Sequence, residues 1–255
     1  MISEYKITVV IPTCDRPAEF LREAVLSVLH QSFAPDEVII VDNGVSDADV
    51  GDLLENTVIK LLRLPPRVGP SRARNFGAAM AQSQYIAFLD DDDWWDEHFL
   101  REAMSALRIE NARCVYGRKD VSRHGNVEPY KCAQASTLTI PVLLRRNPGT
   151  GGQNLVIEKM LFWYIGGFNE SLKTSEDKAI AIEVLLSGNV IAIAPDAAAI
   201  MRPHGGARAR QAYSHKLLFV WKYRHLLGVK GTAFEMARVL RYLARQHVRS
   251  LLGQK

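Results

Sequence analysis

Residues 85 to 97 read YIAFLDDDDWWDE, a continuous apolar run that breaks into six acids within eight residues. An apolar run without alternation is the mark of a strand covered on both faces, so residues 85 to 89 predict a central strand of an α/β sheet. Asp90, Asp91, Asp92 and Asp93 then fall at that strand's carboxyl end, where open α/β sheets bind their ligands. Four adjacent carboxylates repel one another, which makes the cluster costly without a cation. A hard divalent ion, Mg²⁺ or Mn²⁺, held by one or two carboxylates and by phosphate oxygens, suits such a donor set. The bland alternative is a solvated acidic loop capping the next helix. A second strand-end acid, Asp42, tips the reading toward a binding site.

Working outward, residues 7 to 11 form a β-rich run ended by Pro12, and Phe20, Leu21, Ala24, Val25, Val28 and Leu29 recur at helical spacing. A second apolar run, 37 to 41, ends at Asp42-Asn43-Gly44 and is followed by a helical piece over 47 to 56. A third, 58 to 64, is closed by Pro65-Pro66, and a helix is expected over 71 to 82. This alternation predicts parallel βαβ units. Past residue 100 the pattern is less regular. Short strands are expected at 114 to 116 and 130 to 133, a loop at 149 to 152, and a helix over 178 to 186 ending at Gly188. Residues 233 to 252 place Met236, Val239, Leu240, Leu243, Ala244, Val248 and Leu251 on one arc, with Arg238, Arg241, Arg245 and Arg249 opposite, as in a basic amphipathic helix.

The 255 residues carry 32 Lys and Arg against 28 Asp and Glu, so the net charge is +4. The balance is uneven: from Arg202 onward there are twelve basic residues and one acid, Glu235, which is +11 and leaves −7 for residues 1 to 201. Such a tail is drawn to a polyanion, for which an anionic membrane surface is the better candidate because no nucleic-acid motif or aromatic platform accompanies it. Cys14, Cys114 and Cys132 are scattered and odd in number, which argues against a disulfide framework or a zinc knuckle. No leader pattern and no span-length apolar segment is evident, so the expected location is the cytoplasm or the inner face of the cell membrane. Neither GxGxxG nor GxxxxGK[ST] occurs, which weakens dinucleotide oxidoreductase and P-loop ATPase readings.

Four ordered motifs, VVIPTCDRP, EVIIVDNGVSD, GPSRARNFGAA and YIAFLDDDDWW, together resemble a family-two glycosyltransferase of the GT-A fold, with weaker likeness at IGGFNESL and SEDKAIAIEVLLSG. The resemblance implies a Rossmann-like, mostly parallel sheet flanked by helices. It implies a catalytic domain over residues 1 to 205, with a nucleotide-binding half (1 to 105) and an acceptor-binding half (106 to 205), and a basic helical extension over 206 to 255. Carried onto this chain, it makes Pro12, Thr13, Asp15, Asp42, Arg74, Asp90 and Asp91 nucleotide-sugar contacts, and Asp92 the direct metal ligand. The four consecutive acids leave that metal register open by one residue. Asp177, beside Glu176, matches the catalytic base, and His204 falls where some relatives place a metal- or diphosphate-contacting histidine.

The expected reaction is an inverting, Mn²⁺- or Mg²⁺-dependent transfer from a nucleotide-sugar donor, UDP-linked before others, to a hydroxyl of a glycan or lipid-linked saccharide acceptor in bacterial envelope synthesis. No Gln-X-X-Arg-Trp motif occurs, so one sugar per encounter is expected rather than processive synthesis. Two other classes compete. A Mg²⁺ phosphohydrolase needs a nucleophilic Asp on an early strand, where this chain has Pro12-Thr13. A non-catalytic nucleotide- or polyanion-binding module would bind without turnover.

Overall fold

The computed structural model describes residues 5–203 and 207–251, with side chains over 5–203 and 215–245. The first half alternates as the apolar runs predict: β1 (Ile7–Thr13), α1 (Ala18–Leu29), β2 (Glu37–Asp42), β3 (Ile59–Arg63), α2 (Pro70–Met80) and β4 (Tyr85–Phe88). Then come β5 (Trp94–Trp95), α3 (Phe99–Ile109), β6 (Cys114–Arg123), β7 (Asn126–Lys131) and α4 (Ile140–Arg145). The chain continues with β8 (Leu155–Glu158), α5 (Lys159–Tyr164), α6 (Glu176–Leu186), β9 (Ala192–Met201), α7 (Ala207–Lys222) and α8 (Arg224–Leu251).

The strands form one sheet in the order β3-β2-β1-β4-β8-β6-β9-β5, with β7 paired to β6. The β3, β2, β1 and β4 strands run parallel, β8 runs antiparallel between β4 and β6, and β9 is parallel to β6. Thr13 lies beside Asp42 in register, so the ends of β1 and β2 open on the same edge. The β4 strand does lie inside the sheet, between β1 and β8.

The unbroken apolar runs have a simple cause: each strand feeds two cores. Val9, Ile11, Val38, Ile40 and Ala87 point into one cluster with Leu21, Val25, Leu100 and Met104 of α1 and α3. Val10, Ile39, Val41, Ile86 and Phe88 point into the other, with Ala73, Leu143, Phe162 and Ile180 of the helices on the opposite face. Each large aliphatic side chain buried this way contributes ~1.5–3 kcal/mol.

Several elements differ from the sequence reading. Residues 47 to 56 make only a short 3₁₀ turn at Gly51–Glu55, and none of that turn's residues is buried. The short strand expected at 114 to 116 extends to Arg123, and its partner runs from Asn126 to Lys131, ending before residue 133. The tail holds α7 and α8, and α8 is broken at Gly228, whose backbone is non-helical at φ 65°, ψ 176°. Phe219 and Tyr223, around the junction of α7 and α8, are both 1% exposed in the second core, and Lys222 pairs with Glu183 of α6 at 2.9 Å. In α8, Val239 is buried and Leu240 is 55% exposed, so the packed stripe is narrower than the predicted arc. Among the described residues no helix is long and apolar enough to cross a membrane.

The closeness of α2 to the sheet depends on one glycine. A Cβ on Gly77 would stand 2.4 Å from Val10 Cγ1 and 3.1 Å from Val41 Cγ2. Gly77→Ala should therefore lower stability by roughly 1–3 kcal/mol through overpacking, read as a lower urea midpoint. An unchanged midpoint would show that α2 can move away from the sheet without cost.

Candidate functional site

The parallel strands deliver Thr13, Asp42 and the segment after Phe88 to one edge of the sheet. Asp42 is 2% exposed, and its two carboxylate oxygens are taken up locally. Gly44 N–H and Ala48 N–H donate to them at 2.8 Å each, and the Arg63 guanidinium pairs with the same group. Asp42 thereby shapes the 43–48 loop. From the neighbouring loop, Asp15 accepts from the amides of Val45 (2.7 Å) and Ser46 (3.1 Å), while its own backbone is left-handed at φ 49°.

Three arginines and Thr13 answer the four acids after β4. Asp90 pairs with Arg74 of α2. Asp91 accepts from Thr13 Oγ1 at 2.8 Å and faces Arg16 Nη2 at 2.9 Å. The same Arg16 nitrogen lies 2.8 Å from Asp92 Oδ2. Asp93 accepts from the Arg202 backbone N–H at 3.2 Å, and the Arg202 side chain donates to the Asp92 carbonyl at 2.7 Å while lying over Phe20 and Trp94. Burial first, then the charges of Asp90 and Asp92, push the Asp93 carboxyl well above the usual carboxylate range.

Across the cleft, α6 begins at Glu176, preceded by Ser175 in a left-handed backbone at φ 65°. Glu176 Oε1 lies 3.8 Å from Arg74 Nη1, so one guanidinium touches both the strand-end acid Asp90 and the helix-start acid. Burial, together with the adjacent Asp177 charge, raises the Glu176 carboxyl to about 7 against the opposing pull of Arg74. Asp177 is held on both oxygens: Asn147 Nδ2 donates to Oδ2 at 2.9 Å and Lys178 N–H to Oδ1 at 2.7 Å. Arg74 is itself 5% exposed, with Phe168 beneath it and Gly152 beside it. A Cβ on Gly152 would come within 2.9 Å of that guanidinium, so only glycine leaves room for it.

The structure thus brings Thr13, Arg74, Asp90, Asp91 and Asp92 together, with Glu176 and Asp177 reached through Arg74. Asp42 and Asp15 lie on the adjoining loop edge, while His204 lies outside the described residues. The sequence reading missed Arg16, Asn147, Lys119 and Arg202. Lys119 is buried inside β6 and donates to the Thr150 carbonyl at 2.9 Å; burial lowers its pKa, and Asp177, Asp90 and Asp93 are among the charges acting on it. The sequence carries no signal for it, because Lys119 stands between Arg118 and Asp120 and reads like any lysine of a polar strand end.

Among the described residues no three acids, histidines or cysteines converge as a ready-made metal cage. A divalent ion held by one or two carboxylates and completed by substrate phosphates does not require one. The donor chemistry fits: Asp90 to Asp93 with Glu176 and Asp177 present six carboxyls against Arg16, Arg74, Lys119 and Arg202, and neighbouring charge helps raise two of them. Asp92 and Asp90 are the residues that could hold such an ion.

A family model described as glycosyl transferase family 2 matches residues 8–166. The chain is 26% identical over 194 residues to WfgD of Escherichia coli, named a UDP-Glc:alpha-D-GlcNAc-diphosphoundecaprenol beta-1,3-glucosyltransferase, covering 75% of this chain and 74% of that one. It is 29% identical over 131 residues to a GalNAc(5)-diNAcBac-PP-undecaprenol beta-1,3-glucosyltransferase of Campylobacter jejuni, covering 48% of this chain and 40% of that protein. The fold superposes on S. aureus TarS 1-349 in complex with UDP-GlcNAc with a TM-score of 0.65 at 20% identity, covering 86% of this chain and 66% of that one.

The raised Glu176 carboxyl makes stability depend on pH. Its contribution is complete below its ordinary value of 4.5 and fades as pH rises through about 7, because in that window the folded state holds a proton that the unfolded state has released. Melting temperatures should therefore fall between about pH 4.5 and 7 and level off above that, and Glu176→Gln should flatten this fall. A variant that keeps the wild-type slope would remove Glu176 as its source.

Proposed function

Because the chain belongs to glycosyl transferase family 2, we propose that it moves one sugar from a nucleotide-sugar donor to a hydroxyl of a lipid-linked saccharide, with inversion, during bacterial glycan assembly. The observation that carries this reading is the double engagement of Arg74, which sets Asp90 at the strand end against Glu176 and Asp177 at the start of α6. A donor-side acid and a base-side acid then face one cleft. The two relatives' names, both specifying diphosphoundecaprenol-linked sugars, support the acceptor class. WfgD's name, together with the UDP-GlcNAc complex of TarS, supports UDP as the carrier.

In this reading the nucleobase lies against Pro12, Thr13, Asp15 and the loop that Asp42 shapes. Arg74 and Arg16 supply positive charge beside Asp90, Asp91 and Asp92, where the diphosphate would sit, and so offset charge that grows as the bond to the sugar breaks. Mn²⁺ or Mg²⁺, held by Asp92 with Asp90, would add Lewis-acid neutralisation of that leaving group. Asp177 takes the proton from the attacking hydroxyl. Asn147 and the Lys178 amide fix the direction of its carboxylate, leaving no freedom to be lost when the acceptor arrives. Residues 1 to 205 carry this chemistry, residues 206 to 255 form the basic extension, and the site of action is the cytoplasmic face of the membrane.

Two variants separate the roles. Asp177→Asn should cost ~10²-fold or more in turnover while leaving nucleotide affinity nearly unchanged. Asp92→Asn should instead weaken binding of the nucleoside diphosphate in Mn²⁺ toward the level seen in EDTA. Calorimetry with UDP, GDP, dTDP and CMP, paired with donor-sugar turnover, reads both. Full turnover by Asp177→Asn, or metal-independent binding of every nucleotide, would overturn the assignments.

A further inference from the structure

The donor site and Asp177 leave a groove on the far side of α4 unused. It lies between α4 and α8, encloses about 290 Å³, and is walled by Ile140, Leu144, Leu226, Leu227 and Phe234, with Arg145 at its rim. Phe234 is 61% exposed, and Val229 and Leu240 of the same helix are 88% and 55% exposed, so α8 shows apolar side chains to solvent beside an apolar groove.

The rim is cationic. Arg145 and Arg146 are exposed, and Arg238 Nη2 reaches the Arg145 carbonyl at 3.3 Å. Glu235, the sole acid of the tail, also lines the groove, but it is 3% exposed and paired with Arg238 at 2.6 Å. An anion arriving at Arg145 therefore meets no uncompensated carboxylate from α8.

The helix that walls the groove also leads to the proposed base. Arg145 ends α4, and Asn147, two residues further, donates to Asp177 Oδ2 at 2.9 Å. Two residues of extended chain span at most about 7 Å, so the backbone at Arg145 lies within that distance of the backbone at Asn147, whose side chain holds the proposed proton acceptor. Lys178, next to Asp177, donates from Nζ to the Leu143 carbonyl and lies 4.1 Å from the Phe219 ring centroid of α7, so α4, α6 and α7 meet at this point.

We propose that the α4–α8 groove seats the first isoprenoid of a polyprenyl diphosphate-linked acceptor, with Arg145 on its diphosphate. The order then matches the ligand: hydrocarbon between the helices, diphosphate at the rim, sugar hydroxyl at Asp177. This assignment deepens the proposed transfer to a lipid-linked saccharide and rests on it. It also gives the basic tail a specific polyanion.

The test uses the full chain and farnesyl diphosphate as probe, followed by calorimetry, with farnesol and inorganic diphosphate as the two halves of the ligand. Farnesyl diphosphate should bind more tightly than either half, and Phe234→Ala and Arg145→Ala should each weaken it about tenfold. Both positions are exposed, so the fold should survive, and binding of the donor nucleotide with Mn²⁺ should stay at the wild-type level. Equal farnesyl diphosphate binding in wild type and both variants would overturn the proposal. So would binding of phosphatidylglycerol vesicles that depends on Phe234 and Arg145 when farnesyl diphosphate does not bind, since the occupant would then be the bilayer itself. Variant-sensitive farnesyl diphosphate binding without any nucleotide binding would uphold the groove while removing the transferase reading.

Discussion

One buried guanidinium joins the two halves of this molecule. Arg74 belongs to α2, in the parallel half, yet it touches Asp90 after β4 and Glu176 at the start of α6, about a hundred residues later. Burying a guanidinium is expensive unless its charge is answered, and here the answering carboxylates come from both sides of the cleft. Neither half reaches this arrangement alone: Phe168 lies below the guanidinium, Gly152 leaves space beside it, and Asn75, the next residue of α2, exchanges hydrogen bonds with the Phe168 backbone. The separation between the strand-end acids and the start of α6 is thereby fixed by the fold rather than by a ligand.

The same electrostatics explain why the site is unevenly neutralised. Arg16 serves both Asp91 and Asp92, Arg202 serves Asp93 through its backbone, and Lys119 spends its ammonium on the Thr150 carbonyl. Carboxylates outnumber the cations around them, and this surplus adds to burial, the larger cause, in raising Asp93 and Glu176. A site built this way favours the arrival of additional positive charge, whether from an ion or from a rearranged side chain.

The parallel half was legible because β1, β2 and β4 are covered on both faces, so residues 7 to 11, 37 to 41 and 85 to 89 announce themselves as unbroken apolar runs. The β9 strand did not, and the reason is visible in its pairing. Its register against β6 jumps from Gly117–Ala194 to Arg118–Ala198, so Pro195 and Asp196 stand in a bulge, where a proline and an acid cost the ladder nothing. Motif resemblance put Asp90, Asp92 and Asp177 on the page as candidates, but Arg16 and Asn147 depend on partners 75 and 30 residues away. Such pairs leave no trace in periodicity or local spacing. Asp42 shows the opposite limit, since a strand-end acid reads the same whether it faces a ligand or, as its hydrogen bonds show, organises the next loop.

The tail illustrates why charge counts need a fold to become chemistry. Eleven net positive charges after residue 201 read as a diffuse attraction to polyanions, and the helical period puts Arg238 on the polar side, away from the core. In the structure Arg238 is turned inward enough to pair with Glu235 and to reach the end of α4, and Val239 beside it is fully packed. That pairing matters because it removes the only negative charge of the tail from play while drawing a guanidinium toward the α4–α6 junction. Lys178 feels the result: burial first, with Lys216 and Arg238 adding to it, brings its ammonium down to about 8, although Asp177 pulls the other way. Positive charge from the last fifth of the chain is therefore felt one residue from Asp177, so an anion docked there would relieve repulsion already present in the folded protein.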